Sequence, residues 1–97
     1  MTTPIATYQK KPNVRFRPMG EWNMLLAYTP DNPNVVCLNT TSWLILETLD
    51  GRGRSEAADI FLDAMGDVAA RQDAQRVFDE GVTLLEERGV VEAVVQA

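Results

Sequence analysis

The chain opens with alternation and later changes period. In "NVRFRP" (13–18) Val14 and Phe16 fall on one side and Arg15 and Arg17 on the other. A period of two marks a half-buried strand, and Pro18 is its stop. "MGE" supplies a tight turn. "WNMLLAY" (22–28) alternates again, with Trp22, Met24, Leu26 and Tyr28 on one face and Asn23, Leu25 and Ala27 on the other. "TPDNPN" (29–34) is dense in proline, asparagine and aspartate and reads as a loop. "VVCLN" (35–39) is a third strand. Two short connections in succession predict antiparallel neighbours in the order one-two-three.

After Asn39 the period lengthens to that of a helix. In "TTSWLILETLDG" the residues Ile45, Leu46 and Leu49 share one side, with Trp43 at its margin. Asn39, Thr40 and Thr41 are candidate N-terminal caps, and Gly51 and Gly53 stop the helix. "RSEAADIFLDAMG" follows, with Ser55 as its expected cap, Glu56 in the first turn, and a stripe of Ala57, Ala58, Phe61 and Met65 ending at Gly66. The longest helix is "DAQRVFDEGVTLLEER", capped by Asp73 or beginning earlier. Its apolar stripe is Ala74, Val77, Phe78, Gly81, Val82 and Leu85. Gly81 costs about 1 kcal/mol relative to alanine in a helix interior. Either tight packing or room for a neighbouring backbone explains it. "VVEAVV" (90–95) adds a short strand or covers the core.

Strands followed by helices give an α+β class, a three-stranded antiparallel sheet followed by three helices. The same order describes a winged helix-turn-helix. Residues 1–12 are polar, contain Pro4 and Pro12, and are expected to form a flexible N-terminal arm. Residues 13–97 make a single domain, which suits a chain of 97 residues.

Composition narrows the chemistry. There is no histidine and only one cysteine, Cys37. The commonest general base and the commonest zinc ligands are thereby missing. No glycine-rich phosphate loop appears. The carboxylates are scattered over helix surfaces, so a non-catalytic protein with no cofactor is expected, and a small acid–base enzyme ranks last. No apolar run approaches the roughly 18–20 residues of a membrane span, and "MTTPIATYQKKP" has no apolar signal stretch. Cys37 has no partner for an internal disulfide, so a cytoplasmic location is the default expectation.

Charge is uneven. Residues 1–20 carry Lys10, Lys11, Arg15 and Arg17 and no acid, whereas residues 21–97 carry 14 acids against five arginines. A soluble acidic domain with a basic arm accounts for this; steering of an acidic partner is the functional alternative. The charge argues against a winged-helix transcription regulator. The third helix sets Arg71, Arg76 and Arg88 against Asp73, Asp79, Glu80, Glu86 and Glu87, a surface that repels phosphate.

The third strand raises a different possibility. At the edge of a three-stranded sheet one row of its amides and carbonyls faces outward. "VVCL" carries no lysine, proline or bulge to guard that row. The third helix or the "VVEAVV" segment covers it, or a guest peptide adds as a strand. Four or five backbone hydrogen bonds at about 0.5–1.5 kcal/mol each, against an association cost of about 4–15 kcal/mol, do not reach the about −8 kcal/mol of micromolar binding. A guest must also bury two or three apolar side chains. The expected cleft lies between strand and third helix, with Val36 and Leu38 on one wall and Val77, Gly81 and Leu84 on the other. Cys37, if it points inward, is a small apolar filler.

A strand ending in "LN", then "TTSWLILETLDG", a capping serine and "EAADIFL", all after a glycine–glutamate turn and "MLLAY", resembles the PqqD-like proteins. These are the recognition elements of ribosomally synthesised, post-translationally modified peptide pathways. The resemblance spans about residues 8–92. It implies a winged-helix-like peptide chaperone without catalysis. The leader segment of a precursor peptide adds beside the third strand and against the third helix, and is presented to a modifying enzyme such as a radical SAM enzyme, a cyclase or a leader protease. Carried onto this chain, the implied peptide-binding residues are Val35, Val36, Cys37, Leu38 and Asn39 on the strand and Arg76, Val77, Glu80, Gly81 and Leu84 on the helix. An adaptor subunit pairing its edge with a protein is the remaining alternative.

Overall fold

The computed structural model describes residues 5–30, 33–66 and 71–96. In chain order the elements are β1 (Ile5–Lys10), β2 (Arg15–Met19), a 3-10 turn (Gly20–Trp22), β3 (Met24–Thr29), β4 (Asn34–Leu38), α1 (Thr40–Leu49), α2 (Arg54–Met65), α3 (Arg71–Glu87) and β5 (Val91–Gln96). The class is α+β, with a three-stranded antiparallel sheet in the order β2-β3-β4 and three helices. A second, two-stranded sheet joins β1 to β5.

That second sheet corrects the expected flexible arm. Within 1–12, Ile5–Lys10 pairs antiparallel with Val91–Gln96, from Ile5 opposite Gln96 to Lys10 opposite Val91. Tyr8 is buried in the core and is held on several sides. Its amide donates to the Arg52 carbonyl, and its carbonyl accepts from the Gly51 amide, both at 2.8 Å. Its hydroxyl donates to Glu86 at 3.2 Å. Gly51 reaches that carbonyl from a left-handed conformation, φ +75°, which a residue with a Cβ adopts only at a cost. The "VVEAVV" segment is thus a strand, and β1 is its partner.

The predicted strands of the larger sheet hold, with shifted ends. β2 begins two residues later than 13–18 and runs through Pro18, which an edge strand tolerates. The second predicted strand loses Trp22, which lies in the 3-10 turn and is exposed. Asn23 leaves that turn at φ +51°, a conformation asparagine tolerates better than most residues, and its carbonyl accepts from the Thr40 hydroxyl at 3.2 Å. The buried face of β3 is Leu25, Ala27 and Thr29. Opposite them on β4 stand Leu38, Val36 and Asn34.

One core joins the sheets and helices. α1 contributes Ile45, Leu46 and Leu49; α2 Ala57, Ala58, Phe61 and Leu62; α3 Ala74, Phe78, Val82 and Leu85. Phe61 and Phe78 meet with ring centroids 5.6 Å apart at 39°, within the favoured range for aromatic pairs. Buried Thr48 donates its hydroxyl to the Ile45 carbonyl at 2.7 Å, so its polar atom is satisfied inside the helix. α1 is capped by Asn39, whose Oδ1 accepts from the Ser42 amide at 2.8 Å. α2 departs from expectation: it starts at Arg54 with Gly53 at the cap position, so Ser55 lies inside the first turn and caps nothing. α3 already runs from Arg71, the earlier start that the sequence allowed, so Asp73 sits within it and pairs with Arg76 at 3.4 Å.

Candidate functional site

β4 is an edge strand. β3 pairs with it on one side, and among the described residues no strand pairs with the other. The C-terminal segment, a possible cover, is engaged with β1 instead. In an antiparallel strand the amide and carbonyl of one residue face one neighbour and those of the next residue face the opposite side. The Val35 amide donates to Oδ1 of Asn34 at 3.0 Å. This turns the backbone groups of Val35, and with them those of Cys37, outward; Asn34, Val36 and Leu38 turn theirs to β3. The outer row therefore offers two residues, not the whole strand. It is also partly guarded: the Asn34 side chain occupies the Val35 amide.

The side chains divide in the same way. Val36 and Leu38 are buried in the core. They support the strand from beneath and do not line an open cleft, as the sequence pattern had suggested. Val35 is 56% exposed and Cys37 is exposed, both on the face away from the core. Cys37 is thus not an inward filler. Asn39 lies just past the end of β4, and its side chain is committed to the α1 cap.

The helix residues expected to form the opposite wall are not one surface. Gly81 is closed from the side of α1: a Cβ there would collide with Cδ1 of Ile45. The glycine allows helix–helix packing and leaves no room for a guest. Val77 is partly buried against the core. Arg76 is exposed and bonded to Asp73, and Glu80 is exposed. Leu84, 37% exposed, sits in a shallow depression of about 350 Å³ lined by Asp79, Glu80, Thr83, Leu84 and Glu87. The principal neighbours of α3 are α1, α2 and β5, whereas β4 packs on β3 and α1. The structure unites the β4 residues along one edge and leaves Leu84 and Glu80 on the outer surface of α3.

Electrostatics around α3 are acidic and partly neutralised. Asp79 accepts from Arg54 and Gln75, each at 3.2 Å. Burial works against the charge on Arg54, but its bonds to Asp79 and Tyr8 outweigh this and hold its pKa above the ordinary arginine value. Lys10 pairs with Glu47 at 3.6 Å and lies 5.3 Å from the Phe16 ring centre. Among the described residues no group of three or more histidine, cysteine, aspartate or glutamate side chains is placed to hold a metal ion. Nor is any helix among them long and apolar enough to cross a membrane.

Asn34 is the residue that sequence reasoning missed. An asparagine at the end of a loop commonly bonds the backbone just beyond it, and its place directly before "VVCL" carried that signal. Comparisons with protein-family models, curated proteins and solved structures gave no match.

Proposed function

We propose that this chain is a non-catalytic peptide-binding domain. It takes the leader segment of a precursor peptide as an added strand on the outer edge of β4 and presents it to a separate modifying enzyme. On this reading the larger sheet and three helices form a winged helix-turn-helix-like domain of the PqqD-like kind. The observation that carries the proposal is the outer row of β4, which no strand of this chain takes up among the described residues even though a C-terminal strand exists.

The geometry states what the guest must bring. Val35 and Cys37 offer at most two amides and two carbonyls, together about 2–6 kcal/mol at roughly 0.5–1.5 kcal/mol per bond. That meets at most the low end of association costs of about 4–15 kcal/mol and leaves nothing near the about −8 kcal/mol of micromolar binding. Each buried apolar guest side chain adds about 1.5–3 kcal/mol. Val35, on the open side of the strand, is the contact available to such side chains next to the edge, and Leu84 is the exposed apolar residue on α3.

The test is a heteronuclear NMR titration with a synthetic leader, taken from a short reading frame beside a gene for a peptide-modifying enzyme. Amide shifts are expected at Val35 and Cys37. Cys37→Pro removes an outward amide and is expected to abolish binding while the fold persists. Val36→Pro is unsuitable, because its amide belongs to the ladder with β3. Unchanged leader affinity in folded Cys37→Pro overturns strand addition.

A further inference from the structure

We propose that the open face of the β2-β3-β4 sheet is a second docking surface, built for an acidic amphipathic helix of a protein partner. Pleating sends Leu25, Ala27, Val36 and Leu38 into the core, so the alternate residues face away from the helices. The register aligns them in two rows, Arg15–Tyr28–Val35 and Arg17–Leu26–Cys37. Tyr28 is 42% exposed. A depression of about 230 Å³ runs across the face, lined by Arg15, Phe16, Arg17, Leu26, Tyr28 and Val35. An apolar strip on a sheet surface, rimmed by charge, is the usual form of an interaction site.

Charge identifies the occupant. The chain carries a net charge of −5, and three helix-associated arginines (Arg52, Arg54 and Arg76) each have a carboxylate within 4.0 Å. Arg15 and Arg17 are exposed and have no carboxylate within that distance among the described residues. Two residues apart on one strand, their positions are about 6.8 Å apart. Carboxylates at i and i+4 on a helix are separated by about 6 Å and match that spacing. The face of a sheet has no free backbone ladder, so a helix, whose own backbone is satisfied, suits it better than another strand. Such a helix would lay its apolar side on Leu26, Tyr28 and Val35.

This surface meets the β4 edge at Val35 and Cys37 but extends across β3 to the arginines of β2. A strand added beyond β4 lies three interstrand spacings from β2, about 14 Å, out of reach of a glutamate side chain. The inference does not rest on leader binding.

The experiment uses fluorescence anisotropy with a labelled, helix-forming peptide bearing glutamates at i and i+4 beside a leucine stripe. Matched peptides carry glutamine or lysine in place of the glutamates. Wild-type protein is expected to bind the glutamate peptide at micromolar concentration, more weakly as salt rises. The Arg15→Glu/Arg17→Glu double variant, with its fold checked by circular dichroism, is expected to lose at least tenfold in affinity and to prefer the lysine peptide. No binding by wild type, or equal binding by the double variant, overturns the proposal. So does a wild-type dimer that the double variant abolishes, which would make a second copy the occupant. Preferential binding of a single-stranded RNA probe to the same face also overturns it.

Discussion

Gly81 on α3 lies so close to Ile45 on α1 that a single added methyl would overlap the Ile45 Cδ1. Ile45 is buried, so its end cannot swing into solvent. Gly81→Ala gains about 1 kcal/mol in helix propensity and loses about 1–3 kcal/mol to overpacking. Net destabilisation of up to about 2 kcal/mol is expected in urea unfolding. Ile45→Val removes the obstructing carbon and alone costs about 0.5–1.5 kcal/mol. In that background Gly81→Ala should be neutral or stabilising. An equal cost in both backgrounds would show that the two residues are not coupled.

Tyr8 makes the N-terminal strand structural. Tyr8→Phe deletes the bond to Glu86 and is expected to cost about 0.5–1.5 kcal/mol. Tyr8→Ala also removes a buried ring, at about 3–5 kcal/mol. Removing residues 1–10 strips β5 of its partner and should lower the unfolding midpoint further still. A truncated chain as stable as the full one would mean that β1 contributes nothing.

Asn39 joins β4 to α1 through its cap. Asn39→Ala is expected to cost about 1 kcal/mol, and Asn39→Asp very little, since aspartate caps as well. Leader affinity of the folded Asn39→Ala protein should match wild type. A selective loss of affinity at unchanged stability would reassign Asn39 to the binding surface.

On the proposed reading, a guest strand must displace the Asn34 side chain from the Val35 amide. Freeing that amide by Asn34→Ala removes a bond of about 0.5–1.5 kcal/mol from the unbound state. Leader binding is expected to tighten by roughly two- to tenfold. Isothermal titration reads the change, and weaker binding would argue that the guest uses Asn34 itself.

Leu84 tests whether α3 takes part. It is exposed, so Leu84→Glu should leave the unfolding midpoint nearly unchanged. If the leader rests on α3, losing a contact worth about 1.5–3 kcal/mol lowers affinity at least roughly tenfold. Val77→Glu is a poor probe, because Val77 packs on the core and the change would disturb the fold. Unaltered leader affinity in Leu84→Glu would confine the site to the edge.

The larger sheet and the three helices were legible because each carries its own period. The alternation in β3 separated Leu25 and Ala27 from Leu26 and Tyr28, and the helical spacing of Ile45, Leu46 and Leu49 marked the buried side of α1. β1 was not legible: among its described side chains Tyr8 is the one that reaches the core, and its partners lie far along the chain at Arg52, Glu86 and Ala93. The edge itself followed from strand order. Which β4 side chains it exposes depended on which face meets the core, and alternation alone is symmetric between the two faces. The glycine in α3 was equally ambiguous, since only the position of Ile45 distinguishes a packed helix crossing from an empty groove.

The pairing of Ile5–Lys10 with Val91–Gln96 sets a schedule for synthesis. A ribosome adding roughly 5–20 residues per second releases Ile5–Lys10 several seconds before Val91–Gln96 emerges. Until then the nascent chain holds Tyr8 without the β-ladder that fixes it. The two-stranded sheet closes only when Val91–Gln96 returns to Ile5–Lys10.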